Sequence, residues 1–121
     1  MASRFYQVVI DSHDPASLAE FWSAVLDQPI LYRDDDEVIV GADPHAYPGL
    51  CFVRNDDAKT TKNHVHVDLD PDDLNAEVER VLALGARRVD IGQSADVPWV
   101  VLADPEGNEF CVLRPHKSLV E

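Results

Sequence analysis

Asn63-His64-Val65-His66-Val67-Asp68-Leu69-Asp70 is the stretch whose reading decides the fold. Its side chains alternate between apolar and polar, which marks a strand with one buried face. Val65, Val67 and Leu69 point one way, and His64, His66 and Asp68 the other. A half-exposed strand ordinarily turns Lys, Thr or Glu to water. Two imidazoles and a carboxylate in a row suit a face that looks into a cavity. On these residues alone a solvent-facing strand and a cavity-facing strand are both open, and the rest of the chain has to decide.

The same order of elements occurs on both sides of this stretch. Before it, Phe5 to Ile10 reads as a strand, and Asp14-Pro15 supplies an N-cap and a first-turn proline. Leu18, Trp22, Val25 and Leu26 then recur at helical spacing, with Phe21 widening the stripe, and Pro29 stops the helix near Asp27. Ile30 to Arg33 and Glu37 to Gly41 flank Asp34-Asp35-Asp36 as a hairpin, whose acidic tip lacks the EF-hand spacing. A loop with Pro44 and Pro48 leads to a fourth strand, Leu50 to Arg54, and Asn55 to Asn63 is a polar connector. After the connector, the strand His64 to Leu69 precedes a helix opened by Pro71 to Asp73. Its stripe is Leu74, Val78, Val81 and Leu82, and Gly85 ends it. Strands at Arg87 to Ile91 and Val97 to Leu102, the turn Asp104-Pro105-Glu106-Gly107-Asn108, and a last strand Glu109 to Arg114 complete the order.

Each half is therefore β-α-β-β-β, and the chain reads as an internal duplication, one module over about residues 4–55 and the other over about 63–115. The closing strands Leu50-Cys51-Phe52-Val53-Arg54 and Phe110-Cys111-Val112-Leu113-Arg114 match cysteine to cysteine and arginine to arginine, and Gln7 corresponds to His66. In each module a helix would cover one face of its sheet, taking up Val8, Ile10, Val65, Val67, Leu69, Phe110 and Val112. The opposite faces carry Phe5, Gln7, Val9, Cys51 and Val53 in the first module, and His64, His66, Asp68, Glu109, Cys111 and Leu113 in the second. Such a mixture of apolar and polar groups is what a small-molecule pocket offers. Trp22 belongs to the core by its spacing, and Trp99 can stack on a ligand ring. His13, His45 and His116 sit beside turns or near the terminus and are expected in water.

Composition narrows the partners. The 121 residues are expected to form one domain, with 45% hydrophobic and 27% charged side chains. With 23 acids against 10 basic residues the net charge is −13, which argues against nucleic acid and anionic membranes as partners. There is no apolar run of membrane-spanning length, and Met1-Ala2-Ser3-Arg4-Phe5 lacks a signal-peptide core. A cytoplasmic protein is expected, with Cys51 and Cys111 as reduced thiols.

Three segments carry a family resemblance that spans nearly the whole chain. They are Asp14-Pro15 leading into Phe21-Trp22 and Val25-Leu26, the run from His66 through Asp73 to Leu84-Gly85-Ala86, and Asp104-Pro105-Glu106-Gly107-Asn108-Glu109-Phe110. Together they resemble the vicinal oxygen chelate superfamily, and within it the small bacterial glyoxalase-like and bleomycin-resistance-like proteins. The resemblance implies an α+β fold of two tandem βαβββ modules, forming a U-shaped, partly open mixed β-sheet barrel with the helices outside. It also implies a small-molecule ligand and a homodimer, the cavity closing either within one chain or across two.

In metal-dependent members, a His or Gln on each first strand and usually a Glu on each last strand hold a divalent ion. Matched by position, this chain offers Gln7, Cys51, His66 and Cys111, so cysteine stands at both carboxylate positions. That substitution removes the charge that holds a hard ion and the group that shuttles protons in glyoxalase-type isomerases. Cysteine can instead give a zinc site with His66 and Gln7, and Glu109 can displace the ligand role along its strand. The expected function is binding of a small organic molecule without metal, with Gln7, Cys51, His66, Trp99 and Cys111 at the ligand. The alternative is a lyase, isomerase or dioxygenase with a divalent ion at Gln7 and His66. A thiol-dependent activity at Cys111 is a third reading, with His66 as the one base partner in view.

Overall fold

A computed structural model describes residues 5–57, 66–89, 99–116 and 118–119. The chain divides into two compact units, 1–58 and 59–121. In the first, β1 (Gln7–Ser12) leads to α1 (Pro15–Leu26), the hairpin β2 (Ile30–Arg33) and β3 (Glu37–Val40), and then β4 (Gly49–Arg54). In the second, β5 (Asp68–Leu69) leads to α2 (Leu74–Leu84), β6 (Arg87–Arg88), β7 (Trp99–Ala103) and β8 (Glu109–Leu113). The sheets have strand orders β1-β4-β3-β2 and β5-β8-β7-β6. In each, the first strand lies parallel to the last and the other pairs are antiparallel. The fold is thus α+β, with two tandem βαβββ modules.

Local chemistry sets the helix ends. The Asp14 carboxylate accepts from the Ser17 amide at 3.2 Å, and Pro15 opens α1 where no intrahelical donor is needed. Asp27 closes it in the left-handed region, φ 52°, and the Asp27 amide donates to the Ser23 carbonyl. In α2 the Asp73 carboxylate accepts from the Ala76 amide at 3.0 Å. Gly85 takes φ 126° and Ala86 donates back to Val81 at 3.2 Å, the closure expected of a glycine-ended helix.

Register fixes which face each side chain takes. Val38, Val40 and Phe52 are fully buried beneath α1, which contributes Leu18, Ala19, Phe21, Trp22 and Val25. Phe21 and Trp22 meet edge to face at 5.3 Å. In the second unit Leu102, Phe110 and Val112 are buried on the same face of their sheet, together with Val78 and Val81 of α2. Burial of each such side chain stabilises by about 1.5–3 kcal/mol.

The sequence boundaries hold for the helices and for β2 and shift for other strands. β1 begins two residues later than Phe5 and runs through Ser12, because the ladder with β4 continues to Ser12↔Arg54 whatever the polarity of Asp11 and Ser12. Among the described residues β5 is two residues long and β6 is also two. His64, Val65, Val97 and Ile91 lie outside the described residues. Arg54 anchors the end of β4: its guanidinium donates to the Asp35 and His13 carbonyls, each at 3.0 Å. The acidic tip is a hairpin turn, in which the Asp34 carboxylate accepts from the Asp36 and Glu37 amides, both at 2.8 Å.

His13 and His45 are exposed as expected. His116 is exposed too, but it is tied to the start of the α2 segment. Its amide donates to Asp70 at 2.6 Å, and its ring lies 3.4 Å from Asp70 and 3.6 Å from Asp72. His116, in the left-handed region at φ 53°, is thereby held at this acidic corner, which spacing alone did not reveal.

Candidate functional site

On each sheet the face away from the helix gathers the chemistry. In the first unit, Gln7 is registered opposite Gly49, Val9 opposite Cys51, and Cys51 opposite Ile39. Gln7, Val9, Cys51 and Ile39 therefore share a face, and Glu37, opposite Val53, shares it too. Cys51 is only 2% exposed, and its thiol donates to the Glu37 carboxylate at 3.6 Å. Burial, followed by the Glu37 charge and this hydrogen bond, pushes the Cys51 thiol up.

In the second unit the parallel register sets Asp68 opposite Cys111, fixed by the Cys111 amide donating to the Val67 carbonyl at 3.0 Å. His66 lies two residues before Asp68, just ahead of β5. His66 Nε2 stands 3.2 Å from Asp68 Oδ1, with the two side chains about half exposed, 53% and 49%. One ligand atom from each of His66, Asp68 and Cys111 lies within 4.8 Å of the others. Burial raises the Cys111 thiol, and the Asp68 charge, a hydrogen bond to Asp68 and the Glu109 charge raise it further, to about 11. Trp99 is opposite Leu113 and Val101 opposite Cys111, so Trp99 lies on the Cys111 face, 37% exposed.

The five residues expected at a ligand thus fall into two groups. Gln7 and Cys51 share one sheet face; Trp99 and Cys111 share a face of the other sheet, with His66 close to Cys111 just ahead of β5. Two carboxylates absent from that set turn out to be thiol partners. Glu37 reaches Cys51 from the antiparallel neighbour β3, and Asp68 reaches Cys111 from the parallel neighbour β5. Counting parity along β3 places Glu37 on the Cys51 face. Knowing that it is adjacent needs the strand order, which parity does not carry.

The donors fit the divalent ion implied by the resemblance unequally. The second unit gathers an imidazole nitrogen, a carboxylate oxygen and a sulfur, a mixed set that zinc accepts readily. In the first unit Cys51 is buried with its thiol directed to Glu37, which leaves Gln7 as the remaining candidate there.

Comparison with known proteins places this arrangement. No curated protein matches the chain by sequence. Among solved structures, the fosfomycin resistance protein FosX from Mesorhizobium loti has a TM-score of 0.73 at 13% identity, covering 98% of this chain and 95% of that one. A bleomycin resistance determinant encoded on the transposon Tn5 has a TM-score of 0.63 at 18% identity, covering 95% and 100%. The trypanothione-dependent glyoxalase I of Leishmania major has a TM-score of 0.69 at 15% identity, covering 93% and 87%. At these identities the structures establish the fold. The sequence model of the glyoxalase-like domain matches residues 7–113, from the first residue of β1 to the last of β8. The chain therefore belongs to the glyoxalase-like domain family, within the vicinal oxygen chelate superfamily.

Proposed function

We propose that this chain binds a small organic molecule on the helix-free faces of its sheets, as a cytoplasmic homodimer. The observation that carries the reading is the composition of those faces. Gln7, Ile39 and Cys51 in one unit, and His66, Trp99 and Cys111 in the other, combine apolar surface with a few polar groups. Trp99 offers a half-open ring for stacking, and the carboxylates Glu37 and Asp68 favour a ligand that carries positive charge. Phe5 and Val9 expose apolar surface on and just before β1, the end strand of its sheet, which supports association of two copies. No helix among the described residues is long and apolar enough to cross a membrane.

Titration of metal-stripped protein with a panel of aromatic and cationic metabolites tests the proposal. A saturable change in tryptophan emission is expected, and it should vanish in Trp99→Phe while buried Trp22 keeps its signal. No response across the panel would overturn it. Light scattering reads the oligomeric state directly.

A second reading, metal-dependent chemistry, is favoured by one observation, the convergence of His66, Asp68 and Cys111. A divalent ion bound there would act as a Lewis acid toward a ligand oxygen. His66 and Cys111 would hold it, with Asp68 in reach of both.

A further inference from the structure

We infer that a β-bulge at Leu31 makes the helix-free face of the first sheet selective for an organic cation, an ammonium group carried on an apolar or aromatic body. Glu37 takes the charge, and the Tyr32 ring takes the body. This selectivity rests on the proposed binding of an organic molecule to that face, and it narrows the class of molecule.

The bulge decides which side chains reach the face. Ile30 pairs with Val40, but the next pairs are Tyr32 with Ile39 and Arg33 with Val38, so two residues of β2 oppose one of β3. Ile39 is opposite Cys51, which puts Tyr32 on the helix-free face, 47% exposed. Arg33 is turned the other way, beside buried Val38, and its guanidinium reaches Glu20 of α1 at 3.7 Å. A regular ladder continued from Ile30 would set Arg33 directly opposite Glu37, where opposite charges pair, and would turn Tyr32 to the α1 side. The extra residue thus takes a ready countercation away from Glu37 and brings an aromatic ring to the face.

Glu37 keeps its charge uncompensated. Among the described residues the one partner of its carboxylate is the Cys51 thiol at 3.6 Å, a weak and uncharged donor. Burial, followed by the Glu37 charge, pushes that thiol up, so it stays protonated. The other described arginine of this unit, Arg54, donates to the backbone carbonyls of Asp35 and His13. Asp11 lies in the same row through Val53 and adds a second negative charge; its carboxylate accepts from the Asn55 side chain at 3.1 Å.

The Tyr32 ring is held in place before any ligand arrives. Its hydroxyl donates to Asp34 at 2.6 Å, and that carboxylate is itself fixed by the Asp36 and Glu37 amides. Tyr32 is opposite Ile39 and therefore diagonal to Glu37 across the β2–β3 pair. Val9, Cys51 and Ile39 continue its row as an apolar floor. A cation seated on Glu37 can draw on the ring as well as on the carboxylate, whereas Glu37 and Asp11 both repel an anion.

Three probes of one shape separate charge from body: phenethylamine, protonated at neutral pH, 2-phenylethanol and 3-phenylpropionate. Each is titrated into the isotope-labelled full chain with chelator and about 0.15 M sodium chloride, and affinity is read from amide chemical shifts by nuclear magnetic resonance. The amine is expected to bind about tenfold tighter than the alcohol, and the carboxylate more weakly than either, with shifts at Tyr32, Glu37 and Ile39. Glu37→Gln should bring the amine down to the affinity of the alcohol and leave the alcohol unchanged. Val53→Lys, which sets an ammonium opposite Glu37, should also abolish the advantage of the amine. Tyr32→Leu should weaken both amine and alcohol several-fold. Glu79→Gln removes the same charge from α2 and should keep the preference. Far-ultraviolet circular dichroism confirms that each variant is folded. An amine advantage that survives Glu37→Gln would overturn the selectivity. So would an equal loss in Glu79→Gln, because the general field of an acidic chain would then account for it. Amine and alcohol binding alike to the parent chain would overturn it too, while the organic-ligand reading stands. No shift from any probe would overturn the selectivity as well, and the wider metabolite titration then decides separately whether the faces bind an organic molecule.

Discussion

The Cys111 thiol is held at about 11, against an ordinary value of 9.0, by burial and by the Asp68 and Glu109 carboxylates. In metal-free protein at pH 8, a thiol raised that far has a thiolate fraction roughly a hundredfold smaller than that of an unperturbed cysteine. Part of that loss is offset by the greater nucleophilicity of a high-pKa thiolate. Slow alkylation by iodoacetamide is expected, read by mass spectrometry. Removing the negative neighbour lowers the thiol, so Asp68→Asn should alkylate several-fold faster at the same pH. An unchanged rate would mean that Asp68 contributes nothing and would leave burial and Glu109 as the causes. The same reasoning weighs against a thiol nucleophile at Cys111, since catalytic cysteines are held low by neighbouring positive charge. Asp104 tells a different residue-scale story. It is fully buried, and its carboxylate accepts from the Glu106 and Asn108 amides and from the Asn108 side chain. Asp104→Ala strands those donors and should cost about 3 kcal/mol in denaturant unfolding.

At the scale of elements, the two helices make a natural comparison. Gly85 closes α2 without strain, whereas Asp27 closes α1 in a conformation that favours glycine. Asp27→Gly should therefore stabilise by about 0.5–1 kcal/mol, and Gly85→Ala should destabilise by about 1 kcal/mol or more, both measured by urea midpoint. Along α2, Arg80 donates to Glu77 at 2.7 Å and holds that carboxyl below its ordinary range. A lowered carboxyl stabilises above its unfolded pKa, and the gain disappears as pH falls through the folded value. Because the pair is partly exposed, the gain is at most about 0.5 kcal/mol. Urea midpoints of the parent and Glu77→Gln should differ slightly at neutral pH and converge as pH falls through the lowered Glu77 value.

These elements also show what the sequence could convey. Asp14-Pro15, Pro29 and Gly85 are local chemical instructions, and both helices end where those residues say. The β-α-β-β-β element order of each module followed from matching one half to the other. Strand ends are set by pairing, so β1 ran past Ile10 to Ser12 to stay in register with Arg54. Strand parity put Gln7 and Cys51 on one sheet face, as the register of β1 with β4 has them. It missed Glu37 as the partner of Cys51, because that contact depends on β3 lying beside β4. The grouping of His66, Asp68 and Cys111 was hidden for a like reason: Asp68 becomes a neighbour of Cys111 only through the parallel pairing of β5 with β8.

For the molecule as a whole, 23 acidic against 10 basic residues set the electrostatics. A net charge of −13 on a chain of this size repels itself, and that repulsion weakens as salt shortens the screening length to about 8 Å at physiological ionic strength. The thermal midpoint should rise by a few degrees between low salt and about 0.15 M sodium chloride. A flat response would mean that the acids lie far enough apart for their mutual repulsion to be negligible.

Parallel pairing of β1 with β4 has a consequence for how the polypeptide emerges from the ribosome. Gln7 meets Gly49, so the first strand has no docking partner until the chain has grown by 42 residues, the difference between those positions. At roughly 5–20 residues per second that is a wait of about 2–8 s. Throughout it the nascent strand shows Val8, Val9 and Ile10 to its surroundings with its amides unclaimed, a substrate for chaperones that hold extended apolar segments. The second half repeats the delay, since Asp68 waits for Cys111, and by then the earlier sheet can already be complete.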